Sequence, residues 1–131
     1  MADSGIQFKS VAPQFLVRDV AQTAEYYRDV LGFEITAYFL DPPVHGIVRR
    51  GGCEVFFGKA NTETTISNRR LKAIRIDAYF WVKGLDALAQ EIIARSGGKI
   101  IEGPVERIYQ VRELEVEDCN GFVLVFAEAA T

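Results

Sequence analysis

One order of elements occurs twice along this chain, about 65 residues apart, and such a duplication restricts the possible folds more than any single motif does. In the first copy Phe15-Leu16-Val17-Arg18-Asp19-Val20 leads into a helical stretch that stops at Leu31-Gly32. In the second, Phe80-Trp81-Val82-Lys83-Gly84-Leu85 leads into one that stops at Ser96-Gly97. Val17 and Val82, Val20 and Leu85, Tyr27 and Ile92, and Gly32 and Gly97 each stand 65 apart. Gly52 answers Gly121 and Phe57 answers Phe126 at a separation of 69, so the second copy carries four more residues between its helix and its last strand. Two such copies packed together form a pseudo-twofold body with a shared cleft. In a chain of 131 residues neither half buries a core alone.

Local signals within each copy are consistent with this. Residues 10–18 alternate as a strand; Asp19 then caps a helix whose apolar positions Val20, Ala24, Tyr27 and Leu31 recur at helical spacing. Gln22 supports the start and Gly32 supplies a left-handed stop. Phe33 to Phe39 is rich in aromatic and β-branched residues, and Asp41-Pro42-Pro43 breaks it. His45 to Arg50 and Cys53 to Phe57, joined by Gly51-Gly52, read as a hairpin. Lys59 to Leu71 is polar and aperiodic, a connector. The second copy gives a strand over 75–82, a helix over 85–96 with Leu85, Leu88 and Ile92 on one face, and strands over 99–107, 111–116 and 122–127. Asn120-Gly121 joins the last two as a tight turn.

The order is therefore βαβββ twice, which predicts an α+β fold with segregated helices and mostly antiparallel sheets. The expected organisation is a single domain over 1–131, with module 1 at about 8–58, a connector at about 59–73 and module 2 at about 74–128.

Composition narrows the function classes. A net charge of −3 disfavours a dedicated nucleic-acid binder, and the pairs Arg49-Arg50 and Arg69-Arg70 read as solvated, not as a basic stripe. No apolar run approaches a membrane span, and Met1 to Ser4 lacks the features of a signal peptide, so the expected location is cytoplasmic. Cys53 and Cys119 fall in no metal-binding or disulfide pattern: the first reads as a small buried strand residue, the second as a loop thiol. His45 is the only histidine and reads as a surface or loop-flank residue, so no serine or cysteine triad can be assembled and no catalytic residue is assigned. Gly51-Gly52 and Gly97-Gly98 belong to turns, not to a phosphate-cradling loop.

Val17-Arg18-Asp19-Val20, Tyr26-Tyr27-Arg28-Asp29-Val30-Leu31-Gly32-Phe33 and Arg112-Glu113-Leu114-Glu115-Val116-Glu117-Asp118-Cys119-Asn120-Gly121, in this order, resemble the vicinal oxygen chelate superfamily. That group contains the glyoxalases, extradiol dioxygenases, fosfomycin-resistance enzymes and bleomycin-resistance proteins. The resemblance covers nearly the whole chain; Cys119 stands where the family usually has proline. It implies the glyoxalase/bleomycin-resistance fold, two βαβββ modules forming a curved-sheet cleft. In metal-dependent members each module supplies one ligand near the start of its first strand and one on its last. Carried onto this sequence, those positions are Ala12, Asp77, Phe56 and Val125. Only Asp77 can bind a metal, and a hard divalent ion needs several oxygen or nitrogen donors. No metal and no cofactor are expected.

Strand alternation assigns faces. With Pro13, Phe15 and Val17 under the helix, Ala12, Gln14 and Leu16 face the cleft; with Ile76, Ala78, Phe80 and Val82 under the second helix, Asp77, Tyr79 and Trp81 do. On the last strands Glu54, Phe56 and Gly58 answer Val123, Val125 and Ala127. The candidate ligand-binding set is Gln14, Glu54, Phe56, Asp77, Tyr79 and Trp81: an aromatic wall, two acids and an amide over an apolar floor. Such a cleft suits a planar or cationic organic molecule. Glu113 and Glu115 alternate outward on an adjacent strand and are expected to be solvated.

Three functions stay open. The first is a homodimeric binding protein that looks like the bleomycin-resistance branch and sequesters a small aromatic molecule, as that resemblance implies. The second is a metal-dependent lyase, isomerase or dioxygenase, and the third a metal-independent enzyme with Asp77 or Glu54 as general base.

Overall fold

The structure is a computed structural model that describes residues 5–61 and 75–130. Most of the expected connector, with Arg69-Arg70, and the segment Met1 to Ser4 lie outside the described residues. The elements run β1 (Gln14–Val17), α1 (Val20–Asp29), β2 (Glu34–Phe39), β3 (His45–Arg50), β4 (Cys53–Lys59), β5 (Ala78–Trp81), α2 (Leu85–Ala94), β6 (Ile100–Glu106), β7 (Val111–Glu117) and β8 (Val123–Ala129). They form two four-stranded mixed sheets, β1-β4-β3-β2 and β5-β8-β7-β6, each with one helix, an α+β fold. In both sheets the first strand pairs in parallel with the last, and the other pairings are antiparallel.

The two helices begin by different means. The Asp19 carboxylate accepts the Gln22 N–H at 2.9 Å, a side-chain cap on α1. At the equivalent place in the second module stands Gly84, which has no side chain to offer. There the Glu128 carboxylate, reaching over from β8, accepts from the Gly84 N–H at 2.7 Å and the Leu85 N–H at 3.3 Å. Carboxylate near a helix N-terminus also opposes the positive end of its dipole. Gly32, at φ 76°, turns the chain out of α1 in the left-handed region open to glycine.

Most element edges shift by a residue or two from the sequence expectation, and β1, β5 and α2 show why. β1 begins at Gln14, not residue 10, because pairing starts where Phe56 N–H meets Pro13 O at 2.9 Å, and residues 10 and 11 are exposed. β5 is likewise short, with its flanks held by Asp77 N–H to Val123 O at 2.9 Å and Val82 N–H to Ala127 O at 2.8 Å. α2 ends at Ala94, since Arg95 already has extended backbone.

The helix-bearing faces of the two sheets face each other and share one core. Phe15 of β1 stacks on Phe122 beside β8 with ring centres 4.3 Å apart, and Phe33 meets Phe80 edge-on at 6.2 Å. Tyr27, fully buried, donates its phenol hydrogen to Asp118 Oδ2 at 2.7 Å, while Asp118 Oδ1 accepts from the Asn120 and Phe122 backbone N–H groups, each at 2.9 Å. Burial pushes the Asp118 carboxyl above its ordinary value against the pull of these donors. Across the rim, Arg50 of β3 forms a two-pronged pair with Glu91 of α2 at 2.6 and 3.2 Å. With the core between them, the opposite faces of the sheets are left outermost.

Candidate functional site

Register identifies which residues share each outer face. In the first sheet Gln14 lies opposite Phe56, and Leu16 opposite Gly58. In the second Tyr79 lies opposite Val125, Trp81 opposite Ala127, Glu113 opposite Ala127 and Glu115 opposite Val125. The expected faces are therefore the observed ones on β1 and β5: Phe15, Val17 and Phe80 are buried in the core, whereas Gln14, Leu16, Tyr79 and Trp81 stand outward and exposed.

What covers the second outer face differs from expectation. Glu113 and Glu115, expected in solvent, are 3% and 8% exposed. Val123, Val125 and Ala127, expected as an open apolar floor, are completely buried. The cause is long side chains arriving from other elements. Tyr79 donates its hydroxyl to Glu113 Oε2 at 2.6 Å, Tyr109 donates to the same oxygen at 2.8 Å, and Arg107 Nε donates to Glu113 Oε1 at 3.0 Å. Arg107 also reaches Glu102 at 2.7 Å and Glu115 at 3.5 Å, and Arg75 pairs with Glu115 at 3.0 Å. A buried carboxylate needs such donors, since an unpaired one is strongly penalised.

Electrostatics follow from these contacts. Burial pushes the Glu113 carboxyl up, but the hydrogen bonds from Tyr79, Arg107 and Tyr109 outweigh it and hold the group below its ordinary value. The Tyr79 phenol is pushed above its usual range by burial and by its bond to Glu113. Arg107 is held charged by its hydrogen bonds to Glu102 and Glu113.

The six sequence-derived residues are brought together only in part. Tyr79 and Trp81 meet edge-on, rings 5.4 Å apart, with 38% and 64% of their surfaces exposed. Glu54 and Tyr79 line one depression of about 330 Å³ together with Ala12 and Pro13 of the first module and Ala78 and Phe80 of the second. Gln14, Phe56 and Asp77 lie outside that lining. Phe56 takes the edge of the His45 ring at 5.6 Å, which places this histidine, the half-buried first residue of β3, against the aromatic wall of the first sheet. Asp77 Oδ2 accepts the Val123 N–H at 2.8 Å, a bond that fixes the start of β8. Trp81 also contributes to the lining of a second cavity of about 470 Å³, with Phe33, Phe80, Phe126 and Lys83.

Among the described residues no group of three or more His, Cys, Asp or Glu side chains is placed to hold a metal ion. At the positions where metal-dependent relatives of this fold would carry ligands, Ala12, Phe56 and Val125 offer only carbon. Asp77 is already bonded to the backbone. This donor set does not fit a divalent cation. Of the cysteines, Cys53 is half-buried at the start of β4 and Cys119 is exposed in the turn before β8. Among the described residues no helix is long and apolar enough to cross a membrane.

The residues that sequence reasoning passed over are Glu113, Arg107 and Tyr109. An Arg-Glu-Leu-Glu-Val-Glu run carries the period of a strand with one polar face, and nothing in that period says that the polar face is covered.

No protein-family model and no curated protein sequence matches the chain. Solved structures do. TioX from Micromonospora sp. ML1 is similar at 17% identity over 93% of this chain and 99% of that one, with a TM-score of 0.73. A glyoxalase-related enzyme from Clostridium phytofermentans is similar at 16% identity over 97% and 99%, TM-score 0.75. TnmS3, an antibiotic binding protein from Streptomyces sp. CB03234, is similar at 14% identity over 95% and 98%, TM-score 0.71. At such identities the likeness is one of fold. The chain shares its α+β architecture with a glyoxalase-related enzyme and an antibiotic binding protein.

Proposed function

We propose that this protein binds and sequesters a small aromatic molecule, in the manner of the bleomycin-resistance branch, on the outer face of its second sheet. The observation that carries this reading is the Tyr79–Trp81 pair. Two aromatic rings in edge contact stand off a rigid strand with large exposed surfaces, next to a depression of about 330 Å³ that Tyr79 itself lines. Such a wall offers stacking area at little entropic cost, and its strand support keeps it in place before a ligand arrives. Carbon-only side chains at three of the four expected ligand positions favour binding over metal-assisted chemistry. An antibiotic-binding protein among the structural neighbours supports the reading by analogy of fold.

The binding form is a homodimer in this reading. Leu16 is 56% exposed and Trp81 64%, apolar side chains on the outer faces that a second copy covers while completing the cleft.

Thermal shift against a panel of flat aromatic compounds, read in parallel with Trp81 fluorescence, tests the proposal, since a ligand of the folded state raises the melting temperature by mass action. Compounds that stabilise the protein should also change the emission of its only tryptophan. Stabilising ligands that leave that emission untouched would place the site elsewhere.

A further inference from the structure

The cavity of about 470 Å³ draws its lining from both modules, and its size is that of a small-molecule site. Module 1 contributes Phe33 and the Gly51-Gly52 turn between β3 and β4; module 2 contributes the end of β5, the first turns of α2, and Phe126. The space exists because side chains are missing where they would fill it. Gly51, Gly52 and Gly84 all belong to the lining, and a Cβ placed on any of the three meets nothing within 4 Å. Ala87, exposed on α2, adds only a methyl group.

The apolar part of the lining is aromatic. Phe80 stacks on Phe126 with ring centres 5.0 Å apart and meets Phe33 edge-on at 6.2 Å, and all three are buried. Such a cluster favours a flat ring through offset stacking and edge contacts. The charged part is unbalanced. Of the lining residues Arg50, Lys83 and Glu91, the Glu91 carboxylate is held by Arg50 at 2.6 Å and also by Arg95 at 3.3 Å. Lys83 is exposed and makes no ion pair among the described residues. Beside it, the Gly84 and Leu85 N–H groups already bond Glu128, so the start of α2 has no free donor there for an anion. Lys83 is therefore the cation left over, and one positive charge next to an aromatic cluster complements one negative charge on a flat apolar body.

We propose that this cavity is a second binding site, which takes an aromatic monocarboxylate with its ring against Phe33, Phe80 and Phe126 and its carboxylate on the Lys83 ammonium. The site neighbours the depression of about 330 Å³, with which it shares Gly52, Cys53 and Phe80 as lining. Lys83 and Ala87 line the larger cavity and not the smaller one, so the two can be told apart by substitution.

Calorimetric titration with cinnamate and with its neutral isostere cinnamamide tests the proposal on the wild-type protein, Lys83→Met and Ala87→Phe. Cinnamate should bind the wild type and should bind Lys83→Met on the order of tenfold more weakly, the loss of one charge-assisted contact, while cinnamamide binds both alike. Methionine keeps an unbranched apolar stem, so the lining is otherwise retained. Ala87→Phe puts a ring into the space from an exposed position and should abolish binding of both compounds. Cinnamate binding that is equal in wild type and Lys83→Met overturns the proposal, as does binding that survives in Ala87→Phe or a wild type that binds no cinnamate. If the cavity fails in any of these ways and flat neutral aromatics still change Trp81 emission in Ala87→Phe, the outer aromatic wall stands without it. Cinnamate behaving as expected, with no compound acting on the wall, upholds the cavity and removes the wall.

Discussion

The Tyr27 phenol on α1 donates to Asp118 Oδ2 at 2.7 Å, a fully buried contact between residues 91 apart that joins the helix of one module to the last turn of the other. It is a fixed point of the interface on which both outer faces depend.

Tyr27→Phe should destabilise the protein by about 1–3 kcal/mol, because it leaves a buried carboxylate oxygen short of a donor. Tyr26→Phe makes the comparison: its hydroxyl reaches Gly97 O and Glu117 O at 3.2 and 3.4 Å from a more open position, and its loss should cost about 0.5 kcal/mol. Urea denaturation of both variants checks the order. A smaller cost for Tyr27→Phe than for Tyr26→Phe would remove the pair from this role.

Glu113 should make part of the acid sensitivity. Its folded carboxyl lies below the ordinary value, so its contribution is complete above the unfolded value, near about 4.3, and is lost as pH falls through the folded one. Glu113→Gln should therefore flatten the fall in stability below about pH 4.5. Asp118, whose carboxyl burial raises, acts in the opposite sense: its contribution is complete below the unfolded value and fades as pH rises through the folded one. Denaturant midpoints from pH 2 to 7 for wild type and Glu113→Gln decide the matter, and parallel curves would argue that Glu113 titrates alike in both states.

Trp81→Ala should weaken an aromatic ligand by about 0.5–2 kcal/mol through lost stacking or cation–π attraction. Asp77→Asn should have a smaller effect on binding than Trp81→Ala, since Asp77 is occupied with the Val123 N–H and lies outside the depression lined by Tyr79. Competitive titration of the two variants separates the roles. A larger loss for Asp77→Asn would mean that this carboxylate faces the ligand after all.

Sedimentation equilibrium at micromolar concentration should return a dimer, and Leu16→Glu, which puts charge on an exposed outer face, should shift it toward monomer. A wild-type protein that stays monomeric at those concentrations counts against the shared cleft.

Divalent zinc, nickel, iron or manganese should neither co-purify in stoichiometric amount nor raise the melting temperature, because the expected ligand positions are Ala12, Phe56, Asp77 and Val125. Elemental analysis after purification without chelator is the check. One bound ion per chain would restore the metal-enzyme alternative.

Much of this fold was legible because its signals are local. Asp19 before Val20, Gly32 after the helix, and Asn120-Gly121 between two strands each act through backbone conformation within a few residues, and the structure has a cap or turn at each. Alternation around Phe15 and Phe80 also sorted the faces of β1 and β5. The site was less legible because its groups meet across strands. Whether Glu113 meets water depends on Tyr79, 34 residues earlier, and on a turn that folds back over the sheet. The same strand period describes a solvated face and a face roofed by arginine and tyrosine. Glu128 is a second case: Gly84 announces a helix without a cap, and the carboxylate that supplies one lies 44 residues later.

The parallel pairing of β1 with β4 and of β5 with β8 has a consequence in time. In each module the three later strands are joined in sequence as antiparallel neighbours, which need only short stretches of chain to meet. The first strand must wait for the fourth, across a helix and a meander, before it has a partner. Assembly ordered by sequence separation then runs from the meanders inward to β1 and β5. The strand that carries Tyr79 and Trp81 is, on this order, among the last parts of the molecule to take its place.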